Sequence, residues 1–221
     1  MTGVDAASIA ARYHTLSDEV HRLGGDRVRI VAVTKSFPVE AALAVRAAGC
    51  VAVGENYAQE VVAKYSVLAE SERPEIHFIG QLQSNKIRLL APLVSVFQTV
   101  DRTSLTAELA RRRPGASVMI QINLTGESDK GGCAPEKVEG LLAEARGAGL
   151  GVVGLMTVGP THGDPEITRR VFRDTATMAA RLALPEVSMG MSGDWRIAVE
   201  EGATLIRVGS VIFGDRPPLR G

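Results

Sequence analysis

The chain has 221 residues, with 25 basic and 25 acidic side chains, a formal charge of zero and a 45% hydrophobic composition. That length is too long for one small domain and too short for two full ones, but it suits a single (β/α) barrel of about 200–250 residues. Balanced charge, with no basic run longer than Arg111-Arg112-Arg113, argues against nucleic acid or a membrane surface as the partner.

The nearly apolar stretch 147–158 falls short of the roughly 18–20 residues a spanning helix needs. Met1-Thr2-Gly3-Val4-Asp5 carries no basic segment ahead of an apolar core, so no export signal is expected. Cys50 and Cys133 share no metal-ligand spacing and make no disulfide framework. A cytoplasmic protein with reduced thiols is expected.

A helix over about residues 5–23 opens the chain, and the first strand follows at 28–34. The next helix, 38–48, starts with Pro38 in its first turn and closes at Gly49 as a C-cap. A strand at 50–54 leads to a helix at 57–70. Strands at 76–80 and 94–100 come next, with Lys86 opening a helix between them. Helix 103–113, strand 118–124, helix 135–148 and strand 151–157 follow in turn. Asp164 is the expected N-cap of helix 165–182. After strand 186–191, Ser192 is the expected N-cap of the helix at 194–201. Strand 204–209 and a short segment at 211–213 complete the order.

The apolar runs are short, mostly β-branched and nearly continuous, as in parallel strands buried on both faces. Eight of them alternating with helices predict an α/β protein, a single-domain (β/α)8 TIM barrel over residues 1–221 with an extra N-terminal helix. The rival, an open doubly wound sheet, normally places a G-x-G-x-x-G turn after its first strand. Thr34-Lys35-Ser36-Phe37-Pro38 stands there instead.

Functional groups of such a barrel sit at the carboxyl ends of the strands. Lys35 follows Ile30-Val31-Ala32-Val33-Thr34, and a partly desolvated lysine near another cation loses its proton readily and can attack an aldehyde. Position alone favours the plainer reading, a strand-end lysine whose stem reaches solvent. The last two strands shift that balance. Met189-Gly190-Met191-Ser192-Gly193-Asp194 and Arg207-Val208-Gly209-Ser210 are Ser/Gly turns where barrels commonly cradle a phosphate, although glycines also serve ordinary tight turns. An amine on one side of the mouth and a phosphate on the other suggest a phosphorylated aldehyde. Arg207 shares a strand face with Gly209 and is a candidate fixed cation.

His77 lies early in its strand and reads as structural. Lys86 reads as a solvated charge, and Glu127, Asp129 and Lys130 read as a polar loop before Gly131-Gly132. Neither a metal site nor a G-x-S-x-G or P-loop motif is found.

Taken together, Val33-Thr34-Lys35, Gly54-Glu55-Asn56-Tyr57-Ala58-Gln59-Glu60, His77-Phe78-Ile79-Gly80-Gln81-Leu82-Gln83-Ser84-Asn85-Lys86, Gly154-Leu155-Met156-Thr157 and the two Ser/Gly turns, the second running on through Val211-Ile212-Phe213-Gly214, resemble the pyridoxal phosphate homeostasis proteins. These are single-domain relatives of the alanine racemase N-terminal barrel. The match spans nearly the whole chain in order. Thr125 and Asp129 stand where the family often has serines, and Gly193 occupies a variable slot.

The resemblance implies that Lys35 holds pyridoxal 5′-phosphate (PLP) as a Schiff base, that Ser192, Gly193, Gly209 and Ser210 bind its phosphate, that Arg207 faces the pyridine nitrogen and that Asn56 lines the ring pocket. Met156, at a strand end, completes the expected set, with no catalytic residue and no metal ligand. An arginine beside the ring nitrogen disfavours its protonation and weakens the ring as an electron sink. A racemase also needs a second base, a tyrosine that full-length racemases draw from a separate domain. The chain ends seven residues after Gly214, and Tyr57, the nearest substitute, opens a helix. The expectation is a monomeric PLP carrier that buffers the cofactor and passes it to apo PLP-dependent enzymes, without strong catalysis. An alanine-type amino-acid racemase is the alternative, and a phosphate-binding interaction module with an incidental lysine is a third.

Overall fold

The computed structural model describes residues 5–161 and 163–214. Its eight strands are β1 (Arg29–Val33), β2 (Ala52–Glu55), β3 (Glu75–Phe78), β4 (Val96–Val100), β5 (Ser117–Ile122), β6 (Gly151–Thr157), β7 (Glu186–Ser188) and β8 (Leu205–Val208). They pair in parallel, in chain order, and β8 closes on β1 to make a barrel. The helices are α1 (Ala6–Arg22), α2 (Val39–Ala47), α3 (Ala58–Tyr65), α4 (Ser84–Leu90), α5 (Thr103–Arg112), α6 (Val138–Gly147), α7 (Pro165–Arg181), α8 (Trp195–Glu200) and α9 (Ser210–Phe213). The (β/α)8 architecture and the extra leading helix are as the sequence predicts.

The main core lies between the strands and the helices, because each strand sends alternate side chains outward. On β1, Ile30 and Ala32 pack outward, while Val31 points into the barrel with Ala52, Val96, Met119, Met156 and Leu205. Helix α1 buries Ile9, Leu16 and Val20 on one face, packs against α2 and α9, and is capped by Asp5, which accepts the Ser8 N–H at 3.1 Å.

Several boundaries differ from the sequence reading. Helix α4 occupies seven residues, too few to show a clear apolar period, with only Ile87 and Leu90 buried. Helix α3 ends at Tyr65, and Glu70–Glu72 forms a separate 3-10 turn. Strand β7 stops at Ser188, because Gly190 adopts a φ of 86°, outside the extended region. Asp164 caps α7 as expected, accepting the Glu166 N–H at 2.7 Å. Ser192 does not cap α8: Asp194 holds that position, and the Ser192 hydroxyl turns instead to a neighbouring loop.

Candidate functional site

At the carboxyl ends of the strands lies a cleft of about 540 Å³ whose lining includes Lys35, Asn56, Met156, Ser192, Gly193, Arg207, Gly209 and Ser210. Five separate strand ends thus bring the eight expected residues to one opening. Lys35 stands two residues beyond β1 and is half-buried, Asn56 follows the last residue of β2, and Met156 is buried on β6. Val33, Phe37, Ile79, Val158 and Met191 supply an apolar wall that the sequence reading did not assign. Their positions at or just past strand ends were the available signal.

The backbone around Lys35 is clamped from outside the barrel. Glu55 points outward from β2 and is fully buried; it accepts from Thr34 Oγ1 at 2.7 Å, Tyr65 Oη at 2.8 Å and Lys64 Nζ at 3.0 Å. Lys64 also donates to the Thr34 carbonyl at 2.8 Å and to Glu60 at 2.9 Å. Glu60 in turn accepts the Ser36 N–H at 2.9 Å. Residues on both sides of Lys35 are therefore tied to one buried ionic cluster, and Ser36 is held in the left-handed region at φ 67°. Burial pushes the Glu55 carboxyl above its ordinary value, against the opposing pull of Lys64, and burial also pushes the Tyr65 phenol up. The reading from sequence assigned no role to Glu55, Glu60 or Lys64, since outward-facing strand residues ordinarily pack against helices and charged helix residues ordinarily face solvent.

Inside the barrel, Arg207 is buried on β8 beside Val31 of the adjoining β1, so the turn after β8 lies next to the Lys35 loop and not across the mouth from it. Arg207 donates from Nη1 to Ser188 Oγ at 2.7 Å and from Nη2 to the Thr157 carbonyl at 2.8 Å. Burial lowers its pKa to about 10, partly opposed by Asp194, so it remains a cation at neutral pH. Ser192 Oγ accepts the Gly209 N–H at 3.3 Å, pinning the loop after β7 to the turn after β8. A Cβ on Gly209 would stand 3.2 Å from the Val33 carbonyl oxygen, so that turn lies close against β1. The Phe37 and Phe213 rings, 5.1 Å apart, join the Lys35 loop to α9. The first N–H groups of a helical turn have no partner within the turn, so Ser210 and Val211 can offer donors to an anion. Asn56 Oδ1 is buried without a hydrogen-bond partner, an acceptor left for a donor on a ligand.

His77 is fully buried inside the barrel and does not line the cleft. Lys86 and Tyr57 border a smaller pocket of about 250 Å³ that meets the cleft at Asn56. Beyond forming a polar loop, Glu127 and Lys130 latch two loops together: Glu127 accepts from the Thr161 N–H at 3.1 Å, and Lys130 donates to the Gly159 carbonyl at 2.5 Å.

The family model for the alanine racemase N-terminal domain matches residues 4–217. The pyridoxal phosphate homeostasis protein of Vibrio alginolyticus is 41% identical over 205 residues, covering 86% of this chain and 88% of that protein. The structure of PipY from Synechococcus elongatus PCC7942 with PLP bound aligns with a TM-score of 0.84 at 32% identity, covering 93% of this chain and all of that one (100%). Alanine racemase of Corynebacterium glutamicum, at 16% identity and a TM-score of 0.74, shares the fold; 99% of this chain aligns with 63% of that one. On this sequence likeness the chain belongs to the alanine racemase N-terminal domain family and, within it, to the pyridoxal phosphate homeostasis proteins.

Proposed function

We propose that the cleft binds pyridoxal 5′-phosphate and that the protein is a monomeric carrier, holding the cofactor on Lys35 and releasing it to apo-enzymes, without strong catalysis of its own. The observation that carries this reading is the convergence of a clamped lysine, a buried arginine and two linked Ser/Gly turns on one cleft. When bound, PLP supplies an aldehyde that condenses with a primary amine and a ring that withdraws electrons most strongly when protonated.

The residues present fit that group. Lys35 is the amine, Ser192 and Ser210 offer hydroxyl donors and Gly193 and Ser210 N–H donors to the phosphate, and the Gly209 N–H places the Ser192 hydroxyl. Asn56 offers its unpartnered buried acceptor, while Val33, Ile79 and Met156 give apolar contact to a flat ring. Arg207 places a positive charge in a water-poor site, which opposes a proton on the ring nitrogen and so favours carriage over carbanion chemistry. Exposed Met191, Gly193 and Ser210 at the rim leave the cleft open to solvent, which suits exchange.

Absorption spectroscopy of the purified protein incubated with PLP tests the reading. The band of lysine-bound cofactor should form and be lost on borohydride reduction, which leaves a stable secondary-amine adduct that mass spectrometry maps to Lys35, and Lys35→Ala should abolish both band and adduct. Unchanged absorbance in that variant overturns the site. Rapid interconversion of D- and L-alanine by the wild type, lost in Lys35→Ala, would favour the racemase instead.

A further inference from the structure

Four polar side chains occupy interior positions of the barrel that aliphatic residues usually fill. Gln98, His77 and Ser188 are fully buried, and Glu75 is partly exposed beside them. Together with Arg207 they form an unbroken line. Arg207 Nη1 lies 2.7 Å from Ser188 Oγ, which is 2.6 Å from Gln98 Oε1; Gln98 Nε2 is 2.5 Å from His77 Nδ1, and His77 Nε2 is 2.8 Å from Glu75 Oε1. Beyond it, Arg29 stands 3.5 Å from the other oxygen of Glu75 and 3.1 Å from Glu186.

The direction of every bond follows from its ends. A guanidinium can only donate, so the Ser188 oxygen accepts and its single proton goes to Gln98. Gln98 therefore presents its carbonyl oxygen to Ser188 and its N–H to His77. His77 must then accept at Nδ1 and carry its proton on Nε2, facing a carboxylate that can only accept. A cation at one end and an anion at the other leave no alternative orientation in which all members are satisfied.

We propose that Ser188, Gln98, His77 and Glu75 are positioning residues for Arg207, acting through this one-directional chain to fix the guanidinium that the cleft presents to the cofactor ring. The proposal rests on reading the cleft as a PLP site. It gives the Ser188, Gln98 and His77 side chains a role toward a cleft whose lining they do not form. Removing the Ser188 hydroxyl takes one of its acceptors from the guanidinium, and changing a more distant link frees the Ser188 hydroxyl to turn, so that the guanidinium is held less firmly beside the ring.

The test uses the full chain, loaded with PLP, as the wild type and four variants. Ser188→Ala should shift the absorption maximum of the bound cofactor and weaken its retention roughly tenfold, the loss of about one charged hydrogen bond. Ser188→Thr, which keeps the hydroxyl, should restore both. His77→Phe, at the far end of the chain, should move the band in the same direction, while Met119→Leu, equally buried but outside the chain, should not. Folded Ser188→Ala or His77→Phe protein with the wild-type band and retention overturns the proposal. Should these variants fail to fold, nitrogen NMR of the wild-type histidine rings decides: a neutral His77 with its proton on Nε2 supports the chain, and a proton on Nδ1 overturns it. A wild type that never develops the band overturns the reading of the cleft, whereas the His77 tautomer still reports on the chain itself.

Discussion

The ammonium of Lys64 lies 2.8 Å from the carbonyl oxygen of Thr34, the residue immediately before Lys35. That one contact couples a buried ion pair on the outside of the barrel to the lysine proposed to hold the cofactor. Lys64→Met leaves the Glu55 carboxylate buried without its cation, and removing one member of such a pair destabilises by about 3–5 kcal/mol. In urea denaturation the double variant Glu55→Gln/Lys64→Met should recover much of that loss, because no charge is then stranded. Both variants should load PLP more slowly than the wild type, since the turn that aims Lys35 loses its anchor.

Ser192 bridges the two Ser/Gly turns, proposed to bind the phosphate, through the Gly209 N–H. Ser192→Ala should weaken PLP binding by about tenfold, the equivalent of one hydrogen bond to a charged group. Binding of pyridoxal, which has no phosphate, should change little. Parallel titrations with the two vitamers check this, and an equal loss for both would place Ser192 away from the phosphate.

Gly80 lies where a Cβ would stand 2.0 Å from the Asn56 carbonyl oxygen. A methyl group cannot fit there without moving the strand end that carries Asn56. Gly80→Ala should destabilise by about 1–3 kcal/mol or more and reduce cofactor uptake, as seen by thermal melting and by absorbance. Gly193→Ala meets no atom within 4 Å and should leave the melting temperature unchanged.

The Glu75 carboxyl is held below its ordinary value of 4.5, first by the hydrogen bond from His77 and also by the nearby Arg29 charge, although partial burial opposes this. A depressed folded pKa means that the unfolded chain takes up the proton first as pH falls. The contribution is therefore complete above about pH 4.5 and is lost as pH drops through the folded value. Denaturation midpoints measured from pH 7 to pH 3 should fall more steeply for the wild type than for Glu75→Gln. Parallel curves would show that Glu75 contributes nothing through its charge.

Much of this molecule can be read from local patterns. Short β-branched runs alternating with capped helices gave eight strands and the barrel, because burial on both faces erases polar alternation within a strand. The cleft residues were legible because barrel chemistry gathers at the strand ends, where lysine, arginine and Ser/Gly turns stand out against apolar runs. Short α4 and the stop of β7 were less legible. The first offers too few residues for a period, and the second depends on the backbone angle of Gly190.

What the linear pattern could not reveal is which buried polar groups meet. Ser188 and Gln98 are 90 residues apart, and Arg207 and Thr157 are 50 apart. Closing β8 onto β1 sets the register that turns Arg207 inward, and the pleat of β2 turns Glu55 outward to Lys64. Periodicity along the chain encodes whether a side chain leaves water, whereas its neighbours inside are chosen only when the strands close into a ring. The amine, the arginine and the glycine turns were therefore visible in the sequence, and the clamp and interior chain that hold two of them belong to the tertiary structure alone.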